Sequence, residues 1–229
     1  MKIVVIEGLD GAGKSTQIKL LTEYLRGKDI KYNYIHFPRT DAPFYGELIA
    51  RFLRGDFGSA EEVDPYIVSL LYAGDRNDAA NQIRSWLEQD HLVILDRYTY
   101  SNIAYQCAKL DDKTQRDNLR KWILDLEFNH FRIPVPDINI YLDVPFSFTE
   151  QKLKSERNGA DRSYLNGSAD IHEADIGFQR RVRDMYHETA SVDDKLTILN
   201  CYGSNEAILP PEEIFVMIRE LLLNKNILI

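Results

Sequence analysis

The chain has 229 residues, of which 44% are hydrophobic, so it can bury a full core, most simply as one α/β domain. Its formal net charge of -8 and its pI near 5.2 argue against a nucleic-acid-binding or membrane-binding surface. The two cysteines are far apart in sequence and form no CxxC pair, which argues against a zinc site and a disulfide framework.

The first residues, MKIVVIEG, are expected to enter a core strand directly, which leaves no room for a signal peptide. No apolar run approaches the roughly 18 residues of a membrane span. We therefore expect a soluble, cytoplasmic protein that acts neither on a membrane nor on nucleic acid.

The first predicted strand, residues 3–6, leads into a glycine-rich loop and then into an amphipathic helix. The loop reads GLDGAGKS, the phosphate-binding pattern G-x-x-x-x-G-K-S/T in the strand and helix context that it requires. In such a loop the backbone N–H groups and the helix N-terminus face phosphate oxygens. We expect Lys14 to reach the β- and γ-phosphates and Ser15 to offer its hydroxyl to Mg2+. The predicted nucleotide-binding residues are Gly8, Leu9, Asp10, Gly11, Ala12, Gly13, Lys14, Ser15 and Thr16.

Four more short apolar segments, each followed by a helical pattern, predict a five-stranded parallel sheet flanked by helices. They are residues 32–37, 91–95, 138–142 and 196–199.

A long helix is predicted to begin after Asp64, an N-cap residue that a proline follows. The side chains expected to be buried on this helix are Ile67, Leu70, Leu71, Ile83, Trp86 and Leu87. Further helices are predicted over residues 173–188 and after the two prolines at 210–211.

A polar, glycine-containing segment at about residues 154–169 has no apolar period and is predicted to be a mobile lid. Its Arg157 and Arg162 could approach a transferring phosphoryl group when the lid closes, although charges on loops are usually solvated. The whole chain, residues 1–229, is predicted to form one domain.

Polar residues follow two of the predicted strands, at the edge where open α/β sheets bind ligands. Asp96 fits a partner for Mg2+-bound water or for Lys14, or alternatively an N-cap for the next helix. Arg97 has a planar fork suited to a phosphate, and its alternative is a surface ion pair. Arg39 follows the strand that Pro38 ends, and it is another candidate for reaching a phosphate.

Two helices offer candidates for a base and sugar pocket. Ser101, Asn102 and Tyr105 are spaced to share a helical face, and the Asn102 amide could match the edge of a pyrimidine. The alternative is that these polar groups only satisfy a helix N-terminus. Tyr72 and Arg76 also project together, and an aromatic plane can stack on a base. A lone tyrosine at this spacing is more often part of a core rim.

Taken in order, the segments EGLDGAGKST, FPR, LLYAGDR, DRYTYSNIAYQ and YLDVP, together with an arginine-bearing lid, resemble thymidylate kinase. This family is the dTMP kinase branch of the nucleoside monophosphate kinases, and the resemblance covers nearly the whole chain. It implies an α/β P-loop kinase fold with a five-stranded parallel sheet and a mobile lid. It also implies a homodimer and Mg2+-dependent transfer of the γ-phosphoryl group of ATP to dTMP, with ATP bound by the phosphate loop.

By matching motif, the resemblance implies that Asp10 contacts the 3'-hydroxyl of the deoxyribose and helps organise the acceptor phosphate. Arg39 and Arg97 match ligands of that phosphate. Tyr105 matches a residue packed against the 2' position of the sugar, where a ribose hydroxyl would collide or go unsatisfied.

For the base, the resemblance implies that Tyr72 stacks on thymine and that Phe37 forms another aromatic wall. Arg76 and Asn102 match positions that read the base edge. The implied dTMP-binding set is Asp10, Phe37, Arg39, Tyr72, Arg76, Arg97, Ser101, Asn102 and Tyr105.

Position 11 is glycine where eukaryotic relatives carry an arginine, so the resemblance implies that the lid supplies the transition-state cation. The implied catalytic residues are Asp10, Lys14, Arg97, Arg157 and Arg162. Ser15, Asp96 and Glu173 are the candidate Mg2+ residues, Glu173 because it matches a glutamate beyond the lid.

Two alternatives remain at this point. A kinase of another nucleoside or nucleoside monophosphate would share the loop and the lid. A nucleotide-dependent switch or binding module is less compatible with the chain, which has no NKxD guanine motif and carries arginines on the acceptor side that a switch does not need.

Overall fold

Five parallel strands form one sheet in the spatial order β2-β3-β1-β4-β5. They are β1 (Ile3–Glu7), β2 (Tyr32–His36), β3 (Leu92–Asp96), β4 (Ile138–Asp143) and β5 (Leu196–Asn200). The computed structural model describes residues 2–154, 165, 170–172 and 175–228. The predicted parallel sheet is confirmed, and each strand begins and ends within one residue of its predicted bounds.

Eight α-helices flank this sheet in the described part of the chain. They are α1 (Lys14–Gly27), α2 (Tyr45–Leu53), α3 (Pro65–Glu88), α4 (Thr99–Cys107), α5 (Lys113–Leu124), α6 (Phe146–Lys154), α7 (Ile176–Ala190) and α8 (Pro211–Asn224). Helix α5 continues as a π-helical turn, Asp125–His130. The apolar pattern does not reveal α2, α5 or α6; on α5 only Leu119 and Ile123 are buried, which leaves a weak period.

The central strands β1 and β3 are buried along their whole length, and their alternate residues enter two different cores. Val4 and Ile6 of β1 pack in the larger core with residues of α1, α4, α5, α7 and α8. Ile3 and Val5 pack in the smaller core, which includes Ile83 of α3. Because both faces are covered, such strands read as continuous apolar runs and are easily predicted.

Helix α3 begins as predicted, because the Asp64 carboxylate accepts hydrogen bonds from the backbone N–H of Tyr66 at 2.8 Å and of Ile67 at 3.3 Å. The prediction that Ile67 and Leu70 are buried is wrong: these side chains are 57% and 42% exposed. The first turns of α3 bury Val68 against α2, so the residues on the opposite face point away from that contact. None of the described helices is long and apolar enough to cross a membrane.

Candidate active site

The phosphate loop joins β1 to α1 at the carboxyl edge of the sheet. Gly11 and Gly13 have φ angles of 80° and 86°, in the left-handed region that favours glycine. A Cβ added at Gly11 would lie 2.9 Å from the Cβ of Lys152 on α6, so a side chain there would require α6 to shift. Ser15 and Thr16 are exposed on the first turn of α1, where helix N–H groups lack intrahelical partners.

Lys14 is buried against this loop. Its Nζ donates hydrogen bonds to the carbonyl oxygens of Gly8 at 3.3 Å and Leu9 at 3.1 Å. Burial, together with the positive charge of Arg97, lowers the Lys14 pKa to about 8, against the opposing effect of nearby carboxylates. The lysine is therefore held within the loop whose phosphate ligand it is predicted to contact.

A pocket opens beside the loop, between the ends of β1, β2 and β3 and the helices α3 and α4. Its lining consists of Asp10, His36, Phe37, Pro38, Thr40, Leu53, Tyr72, Arg76, Arg97, Tyr98, Ser101, Asn102, Tyr105, Gln106, Asp170 and His172. It thus brings together every residue of the implied dTMP-binding set except Arg39.

Asp10 connects the loop with this pocket. Its Oδ1 accepts a hydrogen bond from Arg97 Nη2 at 2.8 Å, and its Oδ2 accepts one from the Tyr105 hydroxyl at 2.7 Å. Arg97 Nη1 donates to Ser101 Oγ at 3.1 Å. Arg97 is buried, so the alternative of a surface ion pair is wrong.

The backbone at Arg97 has a φ of 66°, a left-handed conformation that costs a non-glycine residue on the order of 1 kcal/mol. Such strain persists where the surrounding structure holds it, and the Arg97 N–H donates to the Ile6 carbonyl at 3.0 Å. This local geometry turns the chain after β3 so that the guanidinium enters the pocket.

At the other end of the pocket, Arg76 forms a buried bidentate ion pair with Glu127, with N–O distances of 2.6 and 2.7 Å. Asn102 also donates to Glu127, at 3.1 Å. Tyr72 and Phe37 contribute aromatic walls, as the resemblance implies.

His172 is a wall residue that no sequence pattern singles out. Its ring stacks on Phe178, with centroids 5.3 Å apart, and lies 5.1 Å from the ring of Tyr105. Burial and the charge of Lys109 lower the His172 pKa to about 3, so the ring is neutral. This neutral aromatic stack supports the position of Tyr105.

Glu7, the last residue of β1, is fully buried and is another residue that the sequence patterns missed. Its carboxylate accepts hydrogen bonds from the backbone N–H of Tyr98 at 2.9 Å and of Ser101 at 3.3 Å, and from the Tyr186 hydroxyl at 2.9 Å. Glu7 therefore accepts hydrogen bonds from backbone N–H groups at the start of α4. The alternative of Asp96 as the N-cap of this helix is wrong. The sequence signal for this role of Glu7 is a charged residue at the end of an otherwise apolar strand.

Asp96 instead stands near the loop lysine. Its Oδ2 lies 3.2 Å from His36 Nδ1, and its buried Oδ1 has no hydrogen-bond partner among the described residues. Burial alone would raise the Asp96 pKa, but the hydrogen bond with His36 and the charge of Lys14 bring it below its ordinary value. The residue is therefore a carboxylate at neutral pH.

The described residues contain no group of three or more His, Cys, Asp or Glu side chains arranged to hold a metal ion. This does not disagree with a Mg2+ site, because Mg2+ usually takes one or two protein oxygens together with waters and substrate phosphates. The unpartnered Asp96 Oδ1 and the exposed hydroxyl of Ser15 are such oxygens. Glu173 lies outside the described residues.

Arg39 lies outside the pocket lining. Its Nε donates to Asp75 Oδ1 at 2.9 Å, and its Nη2 donates to Asp78 Oδ2 at 2.6 Å. These two ion pairs hold the guanidinium against α3. Its role as a phosphate ligand stays a prediction. Arg157 and Arg162 lie outside the described residues, as does most of the lid predicted at about residues 154–169.

Comparison with known proteins identifies the family of this chain. Residues 6–209 match the family model for thymidylate kinase. The thymidylate kinase of Plasmodium falciparum (isolate 3D7) is 32% identical over 208 residues, which cover 86% of this chain and 91% of that protein. The thymidylate kinase of Mycobacterium tuberculosis (strain CDC 1551 / Oshkosh) is 30% identical over 190 residues, covering 82% of this chain and 86% of that protein.

Among solved structures, thymidylate kinase from Candida albicans is similar over 98% of this chain and 92% of its own length. The TM-score is 0.73 and the sequence identity is 26%. This similarity confirms the predicted P-loop kinase fold. By its sequence and by its structure, the chain belongs to the thymidylate kinase family.

Proposed function

We propose that this protein is a dTMP kinase, which transfers the γ-phosphoryl group of ATP to dTMP and forms dTDP and ADP. The predicted activity is confirmed by the match to a family whose curated members carry this enzyme name. The observation that carries the proposal is the pocket beside the phosphate loop, because a loop residue, Asp10, lies in its wall with Arg97 and Tyr105. A donor site and an acceptor site therefore adjoin.

We propose that residues 8–16 hold ATP and that the pocket holds dTMP. Phosphoryl transfer needs little covalent help, since positioning and charge neutralisation supply most of the rate. Lys14 would neutralise the β- and γ-phosphates, and Arg97 would bind the acceptor phosphate. Asp10 would orient Arg97 through their 2.8 Å hydrogen bond and contact the 3'-hydroxyl of the sugar.

The opposite end of the pocket suits the base. We propose that thymine lies between the aromatic walls of Tyr72 and Phe37, with Tyr72 stacked on it. Arg76 and Asn102 would bind the base edge. Tyr105 would lie against the 2' carbon of the deoxyribose. The ring would collide with an added ribose hydroxyl, and Asp10 holds the ring in place by accepting a hydrogen bond from the Tyr105 hydroxyl at 2.7 Å.

Ser15 and Asp96 are the proposed Mg2+ residues, and Glu173 is kept as a further candidate. When bound, Mg2+ supplies positive charge that neutralises phosphate oxygens. The buried Asp96 Oδ1, without a hydrogen-bond partner among the described residues, supports this assignment. Because position 11 is glycine, the loop carries no arginine of its own, and the remaining cation would come from Arg157 or Arg162.

A homodimer is the proposed assembly. Four large apolar side chains, Tyr66, Ile67, Leu70 and Trp122, are exposed on α3 and α5. The rings of Tyr66 and Trp122 are in contact, with centroids 5.1 Å apart, and Leu70 lies one helical turn from Tyr66 on α3, so these three side chains form a patch. Such a patch is typical of a surface that another protein covers. The cytoplasmic location expected from the sequence stays a prediction.

The proposed activity is tested by measuring kcat/KM for a panel of acceptors with ATP and Mg2+. We expect dTMP to exceed UMP, CMP and AMP by at least about tenfold, because the pocket rejects a ribose and selects a base edge. Lys14→Met, prepared in the same way, should be inactive and so controls for a contaminating kinase. Faster turnover of another monophosphate would support a different nucleotide kinase. Tight GTP binding without transfer would support a switch.

A further inference from the structure

A buried carboxylate stands behind the base end of the pocket. Glu127 lies in the π-helical turn Asp125–His130, and its side chain is fully buried. It does not line the pocket, but it contacts two residues that do, Arg76 and Asn102.

The Glu127 carboxylate accepts four hydrogen bonds. Oε2 accepts from Arg76 Nε at 2.6 Å and from Thr99 Oγ1 at 2.9 Å. Oε1 accepts from Arg76 Nη2 at 2.7 Å and from Asn102 Nδ2 at 3.1 Å. About four acceptor sites are available on a carboxylate, so the group is saturated and its orientation is determined.

These contacts fix the direction of both pocket side chains. The two hydrogen bonds that Arg76 donates to described residues use Nε and Nη2, which leaves Nη1 for a ligand. The Asn102 amide donates from Nδ2 to Glu127 and to the Ser69 carbonyl, both at 3.1 Å. Since both partners are acceptors, the amide cannot be reversed, and its buried Oδ1 has no partner among the described residues.

The pocket therefore offers a donor from Arg76 and an acceptor from Asn102. Thymine presents the complementary pair, the O4 acceptor beside the N3–H donor. Cytosine presents the opposite pair, an amino donor beside an N3 acceptor. The same carboxylate neutralises the Arg76 charge, which makes this end of the pocket suited to an uncharged base, whereas Lys14 lies at the phosphate end.

We propose that Glu127 is a positioning residue that sets this donor and acceptor pattern and thereby the preference for thymine over cytosine. The inference rests on the proposed function. If Glu127 were only part of an ordinary buried ion pair, its removal would weaken the fold without changing which base is preferred. A positioning role predicts that the preferred base changes.

The test compares dTMP with dCMP in Glu127→Gln. An amide at this position can put a donor against the donors of Arg76 and Asn102. The Asn102 amide then keeps only the Ser69 carbonyl of its two acceptors, which weakens the preference for the orientation that offers Oδ1 to the base. We expect the ratio of kcat/KM for dTMP to that for dCMP to fall by at least about tenfold, mainly through a higher KM for dTMP. The KM for ATP should change by less than about threefold.

Thr99→Val is the matched control, because it removes the other hydrogen bond to the same carboxylate and leaves Arg76 and Asn102 in place. It should keep the wild-type ratio. Glu127→Asp is the second variant: it keeps the buried negative charge but retracts the carboxylate, so it should lower the ratio even if Glu127→Gln does not fold.

A folded Glu127→Gln or Glu127→Asp with a ratio within about twofold of wild type would overturn the proposal. That result would not contradict the proposed dTMP kinase activity. A wild-type protein that fails to phosphorylate dTMP would instead contradict the proposed function itself.

Discussion

The carboxylate of Asp10 lies 2.8 Å from Arg97 Nη2, so an ion pair joins the phosphate loop after β1 to the residue that follows β3. The same carboxylate accepts the Tyr105 hydroxyl at 2.7 Å. A change in the donor loop is therefore transmitted directly to the wall of the acceptor pocket. This relationship makes Asp10 a more specific probe of the site than the glycines beside it.

Asp10→Asn removes the charge opposite Arg97 and nearly preserves the shape. We expect kcat with dTMP to fall by about 100-fold, because the acceptor phosphate and its ligand lose their alignment. The KM for ATP should change by less than about threefold. Steady-state kinetics with each substrate varied checks this. Asp117→Asn, which alters a surface ion pair with Lys113, is the control and should behave as wild type. An unchanged kcat in Asp10→Asn would argue against the assigned role.

Tyr105 tests sugar selection. Tyr105→Ala opens the space beside the 2' carbon, so kcat/KM for the ribose form of thymidine monophosphate should rise at least about tenfold relative to dTMP. Tyr105→Phe keeps the ring and loses only the hydroxyl that Asp10 binds. It should retain the discrimination while turnover falls. If both variants discriminate as wild type does, Tyr105 does not select the sugar.

The pKa of Lys14 is about 8, below its ordinary value of 10.5, because the side chain is buried. In the free protein the ammonium group is therefore lost as the pH rises through about 8. We expect kcat/KM for ATP to fall above that pH, whereas kcat should hold to higher pH, since bound phosphates raise the lysine pKa again. A pH–rate profile between about pH 6.5 and 9.5 measures both quantities.

Lys109 is the control for this profile, because its pKa is also lowered to about 8 by burial but it does not line the pocket. Lys109→Met should leave the decline of kcat/KM unchanged.

The free energy of unfolding changes with pH in the opposite direction to kcat/KM. Between about pH 8 and 10.5 the unfolded chain binds a proton at Lys14 that the native state lacks. The destabilisation from this buried lysine is therefore largest below about pH 8 and fades as the pH rises.

The exposed apolar patch on α3 and α5 is the proposed contact surface of the homodimer. Leu70→Asp places a charge in the patch and should convert a dimer into a monomer, as measured by size-exclusion chromatography with light scattering. Val192→Asp is the matched control, since Val192 is 59% exposed and follows α7. It should remain dimeric. A wild-type protein that is monomeric at micromolar concentration would contradict the proposed homodimer.

The sheet was predictable because it follows from local pattern, and most of the pocket was predicted from the motifs that carry the family resemblance. Strands β1 and β3 are buried on both faces, and Asp96 and Arg97 stand where parallel strands end. Glu127 was not predictable, because its burial depends on a π-helical turn and on Arg76, which lies 51 residues away in the sequence. Burial of Ile67 and Leu70 was predicted wrongly, since an apolar side chain does not reveal whether its own chain covers it.

The central claim is that the protein transfers the γ-phosphoryl group of ATP to dTMP, which leaves ADP and forms dTDP. The most direct measurement uses ATP labelled with 32P in the γ-phosphoryl group, incubated with dTMP, Mg2+ and the purified protein, followed by separation of the products. The account predicts that the label appears in dTDP in an amount equal to the ADP formed, and that Lys14→Met abolishes it. Label released as inorganic phosphate, with dTMP unchanged, would contradict the account.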